Sequence, residues 1–135
     1  MTTRATGPFE VKLAPLEPYN KDEEAGLARM SIDKEFTGDL AAHSRGEMLA
    51  VGTGFKGSAG YVAVERVTGT LHGKRGGFAL QHNATMDRGV PALNVIVVPD
   101  SGTGELQGIT GRMNIIIAPG GAHSYEFDYA IEAGR

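Results

Sequence analysis

Polar and apolar side chains alternate along most of this chain with a period of two, the pattern of strands that bury one face. Between residues 78 and 87, Phe78, Leu80, His82, Ala84 and Met86 share one face, and Ala79, Gln81, Asn83, Thr85 and Asp87 share the other. Near the carboxyl end His123, Tyr125, Phe127, Tyr129 and Ile131 separate in the same way from Ser124, Glu126, Asp128 and Glu132. Eight such strands are predicted, over residues 6–14, 28–36, 40–51, 60–70, 77–86, 92–98, 106–118 and 123–131. Gly38-Asp39, Asp87-Arg88-Gly89, Asp100-Ser101-Gly102, Pro119-Gly120-Gly121 and the glycines of 73–77 supply the positive or fixed φ angles that tight turns need.

Short turns make consecutive strands antiparallel neighbours, and closing the sheet on itself removes its exposed edges. Eight consecutive antiparallel strands can close into a barrel or fold into two packed sheets; short sequential turns and the removal of edges favour closure. The expected architecture is therefore all-β, a closed eight-stranded antiparallel up-and-down barrel in a single domain over residues 1–135. Gly46, Gly69, Gly108 and Gly111 fall within or beside strands, where bends and bulges let a sheet close. Residues 16–26 read as a polar surface loop, in which Asn20-Lys21-Asp22-Glu23 could cap a single helical turn.

Register decides which polar groups turn inward. A hairpin centred on Gly73-Lys74 opposes Gly69 with Phe78, Val67 with Leu80 and Glu65 with His82, placing Glu65 inside with His82. A turn with an odd number of residues would instead send Val62, Val64 and Arg66 inward; the Gly69 and Phe78 match favours the first arrangement. In the second strand Met30, Ile32 and Phe36 suggest one face, but a two-residue Gly38-Asp39 turn would bring His43 and Arg45 inward from the third. A bulge or a longer turn would reconcile the two. On the outside Val62, Val64, Ile96, Val98 and Ile116 form an apolar band that predicts a homo-oligomer, most simply a homodimer.

Composition narrows the chemistry. There is no cysteine, which excludes thiol catalysis and thiolate metal sites. The net charge of −3 does not suggest nucleic acid or another polyanion as partner. No run approaches the ~18 apolar residues of a membrane span, and residues 1–8 lack the apolar stretch of a secretion signal, so a soluble cytoplasmic protein with no membrane partner is expected. The histidines His43, His72, His82 and His123 show no metal-ligand spacing, and no metal or cofactor is expected. Gly52-Thr53-Gly54-Phe55-Lys56-Gly57 matches G-x-G-x-x-G, but a strand follows it where a dinucleotide site needs a helix; it reads as a mobile glycine loop at the barrel mouth. Asp100-Ser101-Gly102-Thr103-Gly104 lacks the Gly-Lys-Ser/Thr ending of a phosphate loop, and Ser101 lacks the frame of a hydrolase nucleophile.

Glu65, His82, Tyr125 and Tyr129 remain as an inward polar set. An imidazole beside a carboxylate in a low-dielectric pocket can abstract and return a proton, with a tyrosine hydroxyl holding a developing oxyanion. The same residues also suit a hydrogen-bond network that merely fills a small barrel.

The stretch Gly60-Tyr61-Val62-Ala63-Val64-Glu65-Arg66-Val67-Thr68-Gly69-Thr70-Leu71-His72-Gly73 resembles a bacterial family of small uncharacterised proteins, domain of unknown function 3224. The resemblance continues through residues 77–82, 98–106 and 123–129, and so covers nearly the whole chain. It implies an allene-oxide-cyclase-like closed barrel, an architecture similar to that of the plant dirigent proteins, and it brings no reaction with it. A lipocalin reading fails for want of the tryptophan expected near that family's amino terminus.

Three functions follow, in this order. The first is binding of a small, largely apolar molecule inside the barrel by Phe78, Leu80, Met86 and Phe127, with Tyr125 and Tyr129 nearby. The second is a cofactor-free isomerase or cyclase using Glu65, His82 and a tyrosine. The third is a structural homo-oligomer without a ligand.

Overall fold

The computed structural model describes residues 1–134. All eight period-two segments form strands, several longer than the pattern predicts: β1 (Thr3–Leu16), β2 (Leu27–Phe36), β3 (Leu40–Gly52), β4 (Ala59–Leu71), β5 (Lys74–Asp87), β6 (Val90–Val97), β8 (Ile109–Ile117) and β9 (His123–Ile131). Between β6 and β8 a two-residue strand, β7 (Thr103–Gly104), pairs with Gly76 and Gly77 of β5. The eight long strands pair antiparallel in chain order, and β9 returns to β1, so the sheet closes into an up-and-down barrel. The loop before β2 is polar and contains one 3-10 turn, Glu23–Ala25, which ends at Gly26 with φ 65°.

The β4–β5 register differs from the sequence expectation by two residues. The turn is His72-Gly73, with φ angles of 47° and 80°, the double positive φ of a tight hairpin turn that matches strand twist. Val67 therefore faces Phe78, Glu65 faces Leu80, and His82 faces Ala63, in place of the expected Gly69–Phe78, Val67–Leu80 and Glu65–His82 pairs. A slip of two preserves parity, so Glu65 and His82 still point inward, now as diagonal neighbours. In the β2–β3 hairpin the longer turn prevails: Phe36 opposes Ala42, and Ala42 and Ser44 turn inward instead of His43 and Arg45.

Two other departures share one cause. The segment after β6 crosses the end of the barrel as a strap, with Val98 N–H bonded to Ala79 O and Ala79 N–H to Ser101 Oγ, so Ala79 is buried although its side chain faces out. Leu106, expected in a strand, lies in a turn of the strap and plugs the same end.

Side-chain volume tapers along the inner faces, and the taper divides the barrel in two. At the strapped end Phe36, Leu40, Leu71, Phe78, Ile109, Phe127 and Tyr129 pack into a core, with Phe78 and Phe127 stacked at 5.5 Å. At the other end the inward positions include Ala28, Ala50, Ala59 and Ala84, and the interior is left open. Among the described residues no helix is long and apolar enough to cross a membrane.

Candidate functional site

The open end is a cavity of about 570 Å³, within the usual ~300–1,000 Å³ of small-molecule sites. Its walls are almost wholly apolar: Val11, Leu13 and Ile32 on one side, Met48 and Ala50 on another, Met86, Leu93 and Ile117 toward the mouth. The strand ends that flank the glycine-rich β3–β4 connection, Gly52 of β3 and Ala59 and Gly60 of β4, border that mouth. His123 of β9, its ring 5.3 Å from that of Phe9, also lines the cavity, and three further polar side chains reach the floor, Lys34 from β2, Tyr61 from β4 and His82 from β5.

Beneath them lies Glu65, 1 % exposed. One carboxylate oxygen, Oε2, accepts from Lys34 Nζ at 2.8 Å and from His82 Nε2 at 2.6 Å, while Oε1 accepts from the Ser44 hydroxyl at 2.7 Å. Burial on its own pushes the carboxyl up, but the His82 hydrogen bond and the Lys34 charge outweigh it and bring Glu65 down to about 2. Since a carboxylate only accepts, His82 Nε2 carries a proton, and in the neutral ring Nδ1 is left as the acceptor. The Tyr61 hydroxyl lies 3.4 Å from that nitrogen, a long hydrogen bond. Burial, then the nearby Glu65 charge, raises the Tyr61 phenol. Lys34 is 5 % exposed, with the Phe9 and Phe36 rings at 5.2 and 5.8 Å from its ammonium group.

Local backbone makes this cluster possible. Gly46 of β3 pairs with Glu65, and a Cβ there would lie 2.0 Å from Val64 O and 2.6 Å from Glu65 Cα. The glycine lets β3 press against β4, which sets Ser44 and Glu65 side by side.

The model for the protein family of unknown function DUF3224 matches residues 5–129. The chain belongs to the DUF3224 family. A crystal structure of a DUF3224 protein of unknown function from Shewanella oneidensis MR-1 is 47 % identical, with 99 % of this chain and all of that one covered and a TM-score of 0.94. Among curated proteins none matches the chain.

Of the polar set picked out from the sequence of this DUF3224 barrel, the structure brings Glu65 and His82 together and places the two tyrosines elsewhere. Tyr125, at the packed end, accepts from Leu40 N–H at 2.8 Å and donates to Thr37 O at 2.6 Å, tying β9 to the β2–β3 turn. The Tyr129 hydroxyl meets His72 Nδ1 at 2.6 Å beside the β4–β5 turn. Of the expected ligand-binding residues, Phe78, Leu80 and Phe127 belong to the packed core, and Met86 lines the cavity. Lys34, Ser44 and Tyr61 were missed by sequence reasoning. The signal for Lys34 was present, because it shares parity with Met30, Ile32 and Phe36. Among the described residues no three His, Asp or Glu side chains form a group that could hold a metal ion.

Proposed function

We propose that this DUF3224 barrel binds a small, largely apolar molecule in its open-end cavity. The observation that carries this reading is the cavity itself, with alanines and aliphatic side chains at its wall and a polar cluster confined to its floor. Burying an apolar body against such a wall contributes ~25 cal/mol per Å². Tetralin, a bicyclic hydrocarbon, serves as probe in ligand-observed NMR. It should bind the wild type and fail to bind Ala84→Trp, whose indole fills the space left by an inward alanine. No binding to the wild type, or equal binding to a folded variant, would refute the reading. Native mass spectrometry of protein from its own host then weighs any natural ligand that travels with it.

The outer surface supports a second, compatible property, self-association. Leu49, Val62 and Val64, on the adjacent strands β3 and β4, are 55, 52 and 54 % exposed.

A further inference from the structure

Resting on the binding reading, we propose that the cavity floor is a cofactor-free proton-transfer centre for an apolar ketone, with His82 Nδ1 as the base and Lys34 Nζ as the donor to the carbonyl oxygen. Three observations lead there. First, among the described residues the charges at the floor come as a pair: Glu65 is bonded to Lys34, and that bond uses one of the three N–H groups of the ammonium. Another N–H can meet a ligand oxygen. A neutral carbonyl suits this position, because Glu65 already balances the Lys34 charge and a second carboxylate would sit beside it uncompensated.

Second, Glu65 holds His82 by Nε2, which orients the ring and leaves the Nδ1 lone pair for a substrate proton. The long 3.4 Å contact to Tyr61 engages that nitrogen only weakly. Third, His82 and Lys34 are both nine-tenths or more buried, yet both line the cavity. A charge that develops there is felt more strongly than in water.

The step balances without another reactant. The C–H bond next to the carbonyl breaks, its proton goes to His82 Nδ1, and its electron pair forms the C=C bond of an enolate. Lys34 N–H stabilises the enolate oxygen, and the imidazolium is held against the Glu65 carboxylate. Return of a proton to the same carbon regenerates the ketone. Return to the far carbon of an unsaturated ketone moves the double bond, which makes the barrel an isomerase for that class. Glu65 is a positioning residue here, acting through His82 and Lys34.

The probe is 2-tetralone, an apolar bicyclic ketone with acidic C–H bonds beside its carbonyl, and the readout is NMR-detected exchange of those hydrogens in D2O. General-base catalysis contributes roughly 10²–10⁴-fold. The wild type should accelerate exchange about a hundredfold over buffer, tetralin should suppress it by competition, and His82→Gln should abolish it while 2-tetralone still binds. If 2-tetralone binds and no acceleration occurs, the proton-transfer centre is overturned and the binding reading stands. If neither 2-tetralone nor tetralin binds, both fall together. Acceleration that survives in a folded His82→Gln variant would overturn the assignment to His82. Tetralin suppression needs no variant, so the wild type alone supports or refutes the location of the activity.

Discussion

Glu65 accepts hydrogen bonds from Lys34, His82 and Ser44, and this environment links stability to acid. Its carboxyl titrates near 4.5 without these partners and at about 2 with them, so the folded state holds its proton less tightly than the unfolded chain. The stabilisation is complete above the unfolded value and is lost as pH falls from about 4.5 toward about 2; at 1.36 kcal/mol per pK unit it is on the order of 3 kcal/mol. Urea unfolding of wild type and Glu65→Gln should therefore show a stability gap that shrinks by about that amount between pH 6 and pH 2. A gap independent of pH would contradict the assigned environment. Lys34→Met strands the carboxylate and should cost roughly 3–5 kcal/mol, whereas Lys34→Met with Glu65→Gln, which removes both charges, should recover much of the loss. Tyr125→Phe leaves the Leu40 N–H without its partner and should cost about 1–3 kcal/mol, yet leave tetralin binding unchanged because it lies at the packed end. The sequence pattern picked out Glu65 and His82 because both fall on inward positions of strongly alternating strands. Lys34 has the same inward parity, but a lone lysine among apolar residues gives no sign of burial until its carboxylate partner is located.

Turn geometry governs how the strands meet. Gly73 sits at φ 80° in the β4–β5 turn with open space around its Cβ position, so Gly73→Ala should cost only the left-handed backbone penalty, about 1–2 kcal/mol. Gly46→Ala collides with the β4 backbone next to Glu65 and should be the more damaging change, since room can be made only by moving strands apart. Thermal melts of the two variants check the order, and a Gly46→Ala protein as stable as Gly73→Ala would refute it. The β4–β5 register could be misplaced by two residues without harm to the inner set, because a shift of two leaves every side chain on its face. The β2–β3 register was ambiguous for a different reason. Gly38-Asp39 looks like a complete turn, but Thr37 N–H and Asp39 N–H bond to Pro8 O and Thr6 O of β1, which holds the chain in a wider loop.

Eight strands enclose an interior that side chains can just fill, or that can hold one small ligand. In this barrel side chains fill one end and a cavity opens at the other. A packed end with a strap across it supplies stability, and an open end with small residues provides the cavity. The outer band bears on assembly. Light scattering coupled to gel filtration at tens of micromolar should give at least a dimer mass, and Val62→Lys with Val64→Lys should shift it to the monomer while the fold is retained. A monomer mass for the wild type would remove the self-association reading.

Alternation, turn residues and strand count specified the closed barrel from sequence, since each is a local property and all of them agree. Which polar groups touch was not local. Lys34, Glu65 and His82 come from three strands, and their contacts depend on register, on the close approach at Gly46 and on closure of the sheet. The cavity likewise arises from the sum of small side chains that eight strands bring to one end, a quantity that no single strand carries.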